Sequence, residues 1–355
     1  MRTQFLPAIN GDCIWISFSD EKDQIRNIII DGGTAETYCE KDKKGKIIMG
    51  AFGDTIELIR SQGQKIDLLI LTHVDNDHIE GLTTWFENDP LATDLISTVL
   101  FNSGQLIFEY FKKPDILENH ITLTPSYVTD TGIVEGVTFE KKIGDAGIWT
   151  RKIIKAEQVI KFYGAELKIL SPDESGLEAL LTKWQKKVPE SVTSRPTDYN
   201  PSLLSHIEND SFTKDRSPHN GSSIAFILTF KGKNMLFLAD AHPEKIIAGL
   251  NYFGFTEENK LECEFVKMAH HGSKFNTKVE LLRLIESPVY VISSDGSGSA
   301  LPHKQCLARL LNEKKSLSLY FNYEHLAEEI FSKADYEAFP NLEILPIDHE
   351  FIIHE

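Results

Sequence analysis

The 355-residue sequence predicts an α/β fold built from two similar halves that face each other. Strand and helix patterns alternate along roughly the first ninety residues and again along roughly the last 140. Each half also has the same order of polar residues: an Asn-Gly pair, then an aspartate, then a histidine. Two such halves packed face to face would bring their strand ends, and hence these polar residues, to one edge.

The first half predicts the order strand, strand, helix, strand, helix. Cys13–Phe18 and Arg26–Gly33 have the apolar pattern of a hairpin, with a polar connection between them. The stretch MGAFGDTIELIRSQG has apolar residues at helical spacing and ends at Gly63, a plausible helix cap. The stretch KIDLLILTH then predicts a buried strand, and HIEGLTTWFEN begins a helix.

The middle region, from Leu91 to Lys214, has a weaker pattern. It predicts strands at TVLFNS and within QVIKFYGAELKILSP, and a helix at SGLEALLTKWQKKV. The segment Pro189–Asn220 is rich in Pro, Ser, Asn and Asp and predicts a long loop. Long loops inside compact domains are usually functional or mobile, so this segment is a candidate for function.

The second half repeats the plan of the first. Asn220–Ala241 predicts a hairpin with the turn KGKN, and ECEFVKMAHHGS predicts a strand that ends in histidines. The stretch NTKVELLRLIES predicts a helix with Asn276 or Thr277 as its cap. Asp31 and Asp240 follow their Asn-Gly pairs by 21 and 20 residues, and the histidines follow these aspartates by 42 and 30. The matching order indicates a weak internal duplication.

Composition and charge favour a soluble globular protein of the cytoplasm. The 37 basic and 53 acidic residues give a formal net charge of −16, which disfavours sequence-blind adhesion to nucleic acid without excluding a local basic groove. Four scattered cysteines without C-x-x-C spacing favour a reducing compartment. The N-terminal stretch has no apolar signal-peptide core, and no run approaches the roughly 18 apolar residues of a membrane span. We therefore expect no membrane segment.

The stretch LLILTHVDNDHIEGL gathers four potential metal ligands after a predicted strand: His73, Asp75, Asp77 and His78. Neutral imidazoles and carboxylates are the usual ligands of zinc, manganese and iron. For either aspartate taken singly, the alternative is a polar turn or a helix cap. All four together, with a His-His pair in the second half, predict a metal site.

The stretch THVDNDHIEGL resembles the H-x-[HD]-x-D-H signature of the metallo-β-lactamase fold hydrolases. IIIDGG, NGSS, LFLADA and KMAHHGS follow in the order of that family's further motifs, and the combination is most similar to the soluble hydrolase portion of ComEC-like DNA-uptake proteins. The resemblance implies a four-layer αββα sandwich with an insertion between its halves. The implied single domain, 1–355, has a first half at about 1–90, an insertion and loop at about 91–214 and a second half at about 215–355.

The resemblance also implies ligands for one or two divalent ions, either Zn²⁺ or Mn²⁺. Asp77, His78 and His270 would hold one ion, and Asp240 would bridge toward a second. A divalent ion lowers the pKa of bound water to about 7, and two ions about 3.5–4 Å apart can hold both the attacking and the leaving oxygen of a phosphoester.

The second ion would be held by His73 and Asp75. The family's third ligand at this position is normally a histidine, but Asn220 occupies its place here, with His219 beside it. Oxygen-rich ligands shift the expected metal from zinc toward manganese. Asp31 would orient a ligand by hydrogen bonding, a role whose loss usually lowers metal affinity.

Several further residues are candidates for catalysis or substrate binding. Asp77 would orient or deprotonate the attacking water. His303, at a predicted helix start that suits anions, would contact a phosphate or donate a proton, unless it is a surface histidine. His271 is either catalytic or a hydrogen-bonded structural residue. Lys274 would meet substrate or remain solvated, and Ser223 of the N-x-x-S segment would lie close to the ligands.

The predicted function is a metal-dependent hydrolase that cleaves phosphodiester bonds, with DNA or RNA as the leading substrate. A small-molecule hydrolase acting on a cyclic nucleotide, phosphate ester or lactone is the alternative that the net charge favours. An open basic groove in the middle region, which includes the basic stretch Lys141–Lys161, would favour polymers; a closed lid would favour small substrates. A third alternative is a partner-dependent subunit of a larger assembly, such as a defence system, or a homo-oligomer.

Overall fold

Two β-sheets pack face to face and carry helices on their outer surfaces, as the computed structural model of residues 1–111, 131–186, 196–297, 300–314 and 316–353 shows. One apolar cluster lies between the two sheets. A second cluster lies between the first sheet and its helices, and a third lies between the second sheet and its helices. The layers therefore follow the order helix, sheet, sheet, helix, in which each sheet buries both faces. This confirms the predicted αββα fold.

The first sheet consists of β1 (Arg2–Phe5), β2 (Ile14–Ser19), β3 (Ile25–Ile30), β6 (Leu68–Ile70), β7 (Val99–Leu100) and β18 (Phe351–Ile352). The predicted hairpin is present, because β2 and β3 pair antiparallel with Ile14 opposite Ile30. β6 and β7 then extend the sheet in parallel. β1 and β18, which were not predicted, close the other side.

The second sheet consists of β8 (Val159–Phe162), β9 (Ala165–Ser171), β10 (Ala225–Phe230), β11 (Lys233–Phe237), β13 (Phe265–Lys267), β15 (Val289–Ile292), β16 (Ser318–Phe321) and β17 (Glu343–Leu345). The turn between β10 and β11 is two residues, Lys231 and Gly232, rather than the whole KGKN stretch, because Phe230 pairs directly with Lys233. Both turn residues have positive φ, as tight hairpin turns with the favoured twist require.

The two sheets repeat one strand arrangement. An antiparallel hairpin, β2–β3 in one half and β10–β11 in the other, is followed by two parallel strands. Asp31 and His73 follow the ends of β3 and β6, while Asp240 and His270 follow β11 and β13. Because parallel strands end at the same edge of a sheet, each half presents its polar residues at one edge. The predicted internal duplication is therefore present in the strand order.

The helices are α1 (Ala35–Tyr38), α2 (Ala51–Ser61), α3 (Asn76–Asn88), α4 (Gly104–Tyr110), α5 (Thr131–Asp145), α6 (Glu174–Lys186), α7 (Leu203–Glu208), α8 (Pro243–Tyr252), α9 (Val279–Arg283), α10 (Lys304–Glu313), α11 (His325–Ile330) and α12 (Lys333–Ala338). Side chains of α2, α3, α5 and α6 pack on the first sheet. Side chains of α8, α9, α10 and α11 pack on the second. Among these described residues, no helix has the length and apolar character needed to cross a bilayer.

Two small strand pairs lie outside the main sheets. β4 (Cys39–Lys41) pairs antiparallel with β5 (Ile47–Met49), and β12 (Leu261–Glu262) pairs parallel with β14 (Ile285–Glu286). The middle region contributes β7 to the first sheet and both β8 and β9 to the second. The long loop predicted at Pro189–Asn220 lies partly outside the described residues, since 187–195 are not described. Its described part contains α7, so it is not a loop throughout.

One predicted helix cap is wrong. The residue at the N-cap position of α9 is Lys278, with no side-chain capping bond, and neither Asn276 nor Thr277 occupies it. The side chain of Asn276 instead bonds to Asp215 and to the backbone oxygen of Asp240. These tertiary contacts outweigh the local preference of asparagine for a helix cap.

Candidate metal centre

Histidines and aspartates from both halves meet at the edge where the strands of the two sheets end. His73 lies in the loop after β6, while Asp77 and His78 lie in the first turn of α3. Asp240 and His271 come from the loops after β11 and β13. His73, His78 and Asp240, and likewise Asp77, His78 and His271, place one potential ligand atom each within 4.8 Å of one another. The cluster is therefore assembled from both halves of the chain.

Four side chains surround a first position. His271 Nε2 lies 3.5 Å from Asp77 Oδ2 and 3.7 Å from Asp240 Oδ1. His78 Nε2 lies 3.5 Å from the same Asp240 Oδ1 and 4.0 Å from Asp77 Oδ1. Ligand atoms about 2.1 Å from a tetrahedral ion lie about 3.4 Å apart, so these spacings suit one divalent cation.

Several buried polar atoms of the cluster lack a hydrogen-bond partner within the described residues: His73 Nε2, His78 Nε2, His271 Nε2 and Asp240 Oδ1. An unsatisfied buried polar group costs about 1–3 kcal/mol, and such groups are rare in folded proteins. Here the unsatisfied atoms converge on one region, which a cation would satisfy. The residues present therefore fit a divalent metal.

A second position lies beside the other oxygen of Asp240. His73 Nε2 is 3.6 Å from Asp75 Oδ2 and 3.8 Å from Asp240 Oδ2. His270 Nε2 is 3.6 Å from the same Asp240 Oδ2. His219 Nδ1 contacts Asp75 Oδ1 from behind. Asp240 thus presents one carboxylate oxygen to each group of ligands, as a bridging residue does.

The two adjacent histidines of KMAHHGS are placed differently from expectation. His271 lies with Asp77 and His78, where His270 was expected, and His270 faces Asp240 Oδ2. The backbone explains the exchange, because both residues have positive φ, 46° and 52°, and the chain turns sharply between them. His271 Nδ1 donates to Ser293 O at 2.9 Å, which leaves Nε2 facing the first position.

Asp31 holds the loop that carries the first-half ligands. Its Oδ1 accepts from the Thr72 backbone N–H, and its Oδ2 accepts from the Thr72 hydroxyl, both at 2.7 Å. Its Oδ2 also accepts from His78 Nδ1 at 2.8 Å, so His78 Nε2 remains available to the centre. Asp31 is fully buried, in the place expected of a residue that orients a ligand.

Sequence reasoning missed a buried ion pair between the halves. Lys267 Nζ donates to Asp12 Oδ2 at 2.8 Å, and both residues are buried. Asp12 Oδ1 lies 3.4 Å from His271 Nδ1, so the pair contacts the ring opposite its metal-facing side. The preceding Gly11 lets this segment lie against the loop of Asp77, because a Cβ there would lie 1.8 Å from Asp77 O. Adjacency to the Asn-Gly pair was the one available sequence signal.

Asp215, from the described end of the polar segment, was also missed. Its Oδ2 accepts from Asn220 Nδ2 at 2.7 Å and from Asn276 Nδ2 at 3.0 Å. The same oxygen lies 3.6 Å from His270 Nδ1 and 3.8 Å from His242 Nε2. No local pattern marks Asp215, since most of these partners are distant in the sequence.

The charges of the centre shift one another's pKa values. Burial lowers the pKa of His78, but the carboxylates of Asp240 and Asp31 outweigh it and hold that pKa well above its usual value. Burial raises the pKa of Asp75, but His219 outweighs it and holds that pKa well below its usual value. Asp75 therefore remains ionised, and its negative charge favours a cation beside it.

The remaining expected residues lie close to these ligands or beside a neighbouring helix. Asn220 begins a single 3₁₀ turn that ends before Ser223, and both residues are buried. Asn220 Oδ1 and Ser223 Oγ have no hydrogen-bond partner within the described part of the chain.

The start of α10 already binds an anion of the chain itself. Asp198 accepts from the backbone N–H of Lys304 at 2.7 Å and of Gln305 at 3.3 Å. Lys274 Nζ lies 3.5 Å from Asp198 Oδ2, and His303 occupies the N-cap position, with Nδ1 3.4 Å from Lys274 N. A phosphate contact of His303 at this helix start stays a prediction that requires Asp198 to leave.

A model described as the metallo-beta-lactamase superfamily matches residues 24–296. A search of curated proteins finds no match. Among solved structures, the metallo-beta-lactamase fold protein YhfI from Bacillus subtilis is 8% identical, with 99% of this chain and 100% of that chain covered and a TM-score of 0.41. Zn(2+)-bound PqqB from Methylobacterium extorquens is 11% identical, with 96% and 87% covered and a TM-score of 0.38. A diphosphatase from the PhnP family is 10% identical, with 97% and 85% covered and a TM-score of 0.36.

These structures have TM-scores below 0.5, so they carry no argument about activity. The family model covers more than half of the chain and includes the segments that supply His73, Asp77, His78, Asp240 and His271. These segments assemble into the one centre described above, on the four-layer fold. The chain therefore belongs to the metallo-β-lactamase superfamily of metal-dependent hydrolases.

Proposed function

We propose that this protein is a metal-dependent phosphodiesterase, with DNA or RNA as the leading substrate. The observation that carries the proposal is the pair of ligand groups on the two oxygens of Asp240. Two divalent ions at such positions would supply Lewis acidity and neutralise the negative charge that develops on a phosphoester during hydrolysis. The similarity of the motifs to ComEC-like proteins supports a nucleic-acid substrate.

Asp77, His78, His271 and Asp240 would hold the first cation, while His73, Asp75 and Asp240 would contribute to the second. Asp77 would also orient the attacking water. Burial raises the pKa of Asp77, but hydrogen bonding to His271 and the charge of His78 outweigh it and lower that pKa. A carboxylate with a lowered pKa is a weak base, which favours orientation over proton removal.

The ligand types favour different metals at the two positions. The first position has two imidazoles and two carboxylates, a set common for Zn²⁺. His73, Asp75 and Asp240 give the second position two carboxylates to one imidazole, a larger share of oxygen ligands, and oxygen ligands favour Mn²⁺. We therefore propose Zn²⁺ or Mn²⁺ as the cofactor.

A small phosphoester is the second candidate substrate. The net charge of −16 opposes a polyanion, and the basic stretch of the middle region is partly neutralised. Arg151 pairs with Glu109 at 2.7 Å, and Lys155 pairs with Glu174 at 2.7 Å. These lysine and arginine side chains would have to exchange partners before they could bind a phosphate backbone.

The first test combines metal content with a panel of substrates. The purified protein, loaded with Zn²⁺ or Mn²⁺, is assayed on bis-p-nitrophenyl phosphate, single- and double-stranded DNA, RNA and cyclic nucleotides. We expect cleavage that falls by about 100-fold or more in Asp77→Asn and His78→Ala, because each removes a group from the centre. His349→Ala, which changes a histidine beside Phe351, is the control and should retain full activity.

The outcome decides between the candidates. Cleavage of DNA or RNA that both variants lose supports the nuclease. Cleavage of small esters alone supports the second candidate. Bound metal without any hydrolysis contradicts the phosphodiesterase proposal and favours a subunit that requires a protein partner.

A further inference from the structure

The second cation position lacks one ligand of the family's usual pattern, because Asn220 stands where a histidine is expected. We propose that His270 supplies the missing ligand, so that the adjacent His270 and His271 bind two different cations. The inference rests on the proposed metal-dependent activity, and it assigns to this chain a ligand set that its motifs alone do not imply.

The contacts of Asp240 separate the two histidines. His270 Nε2 lies 3.6 Å from Oδ2, on the side of His73, while His271 Nε2 lies 3.7 Å from Oδ1, on the side of His78. The two ring centroids are 5.8 Å apart, and the ring planes meet at 77°. The rings therefore face different oxygens of one carboxylate.

The backbone of His270 and His271 adopts an unfavourable conformation in this arrangement. Both histidines have positive φ, 46° and 52°, a conformation that is unfavourable for residues other than glycine. The His270 N–H donates to Ala239 O at 2.8 Å, which ties the histidine loop to the residue before Asp240. Strained residues persist where the surrounding structure requires them, and they cluster at functional sites.

Hydrogen bonding orients the His270 ring toward the second position. Asn276 Nδ2 donates to Asp215 Oδ2 and to Asp240 O, each at 3.0 Å, and both acceptors can only accept. The amide orientation is therefore determined, and Asn276 Oδ1 faces His270 Nδ1 at 3.0 Å as an acceptor. Nδ1 then carries the proton, and the lone pair of Nε2 points toward Asp240 Oδ2, as in metal-binding histidines.

Asn220 occupies a different role in this arrangement. Its Nδ2 donates to Asp215 Oδ2 at 2.7 Å and lies 3.3 Å from His270 Nδ1. Asn220 and Asn276 therefore both donate a hydrogen bond to Asp215, on the Nδ1 side of the His270 ring. Its buried Oδ1 is the competing candidate for the missing ligand, so the experiment must separate the two.

The experiment counts bound metal without using substrate. Protein stripped with a chelator is titrated with Mn²⁺, and bound ions are counted by equilibrium dialysis with elemental analysis. Electron paramagnetic resonance then reports whether two Mn²⁺ ions are magnetically coupled. We expect two ions per chain and a coupled signal in the unmodified protein.

His270→Ala should bind one ion with unchanged affinity, weaken the second by at least about 100-fold and abolish the coupled signal. Asp215→Asn should weaken only the second ion, by about 10–100-fold, because it loosens the ring without removing it. His349→Ala is the matched histidine control and should leave both ions bound. His270→Gln provides the same test if the alanine variant fails to fold.

Two coupled ions at unchanged affinity in His270→Ala would overturn the proposal, as would a single ion in the unmodified protein. Loss of the second ion in Asn220→Ala with its retention in His270→Ala would assign the ligand to Asn220 and also overturn it. Since no substrate is involved, failure of the phosphodiesterase assay would contradict the proposed function and leave these metal counts valid.

Discussion

Asp31 lies behind the candidate metal centre and hydrogen-bonds to one of its histidines. It is the acceptor for His78 Nδ1 and for both the backbone and the hydroxyl of Thr72. Loss of a carboxylate that orients a metal-binding histidine usually lowers metal affinity by about 10–100-fold. We therefore expect Asp31→Ala to weaken the first cation by about that factor, measured by competition with a coloured chelator.

In the same measurement, Asp31→Asn separates the loss of the hydrogen bond that orients His78 from the loss of side-chain volume at residue 31. The amide keeps the size of the side chain, and its oxygen can still accept from Thr72, but its NH₂ group cannot accept from His78 Nδ1–H. It should therefore weaken the metal nearly as much as alanine does. Asp54→Ala, at an exposed position on α2, is the control. Equal affinity in Asp31→Asn and the unmodified protein would contradict the role of Asp31.

The predictable residues of the centre are those that lie close together in the sequence. His73, Asp77 and His78 share one short loop, so their chemistry is visible without a structure. Asp12 and Lys267 are 255 residues apart, and only the packing of the two halves brings them into contact. The exchange of His270 and His271 depends on two backbone dihedral angles that no spacing pattern encodes.

At the scale of elements, Asp335 joins three helices on the second half. It accepts from the backbone N–H of Leu203, at the start of α7, at 2.6 Å and from Lys304 Nζ of α10 at 2.7 Å. It also forms a capping box with Ser332 at the start of α12. Burial raises its pKa, but these hydrogen bonds outweigh that effect and lower the pKa to about 2.

This lowered pKa predicts a pH dependence of the free energy of unfolding. The pKa is lower in the folded state than the ordinary value of about 3.9, so the contribution of Asp335 is present above about pH 4 and is lost as pH falls toward 2. The shift corresponds to a contribution on the order of 2 kcal/mol. Urea unfolding should therefore show Asp335→Asn less stable than the unmodified protein by about that amount at pH 5, with a smaller difference near pH 2.

Comparing Asp335→Asn with the unmodified protein at the same pH cancels the contributions of all other acidic groups to the free energy of unfolding. Glu337→Gln, at an exposed position on the same helix, should follow the unmodified protein at every pH. A difference between Asp335→Asn and the unmodified protein that stays constant from pH 5 to pH 2 would show that the carboxylate titrates normally.

Periodicity predicted the helices and strands whose apolar residues recur at regular spacing. β2, β3, β6, α2 and α3 follow that pattern, and all are present. α4 and α5 were missed because tertiary packing defines them: Phe139 of α5 stacks on Phe86 of α3, with ring centroids 5.4 Å apart. The prediction of the α9 cap was wrong for the same reason, since Asn276 hydrogen-bonds to His270 and Asp215 in the centre and not to the helix start.

At the scale of the whole molecule, the centre lies across the boundary between two halves that also meet through an apolar core and the buried Asp12–Lys267 ion pair. The first half supplies His73, Asp77 and His78, and the second supplies Asp240 and His271. Duplication of the strand order predicted this arrangement, because it places matching strand ends at one edge. The partners of the molecule, its oligomeric state and a cytoplasmic location stay predictions.

A metal shared by both halves should stabilise the whole fold. A ligand that binds only the folded state adds about 2.7 kcal/mol to the free energy of unfolding at a free concentration one hundred times its dissociation constant. Without the cation, the carboxylates of Asp75 and Asp77 repel each other, and the buried imidazole nitrogens of the centre remain unsatisfied. We therefore expect a chelator to lower the thermal midpoint by several degrees, and added Zn²⁺ or Mn²⁺ to restore it, as measured by calorimetry. In His78→Ala, which lacks a ligand of the first position, the midpoint should respond much less to either treatment. A midpoint in the unmodified protein that is the same with chelator and with metal would mean that a cation contributes nothing to holding the two halves together.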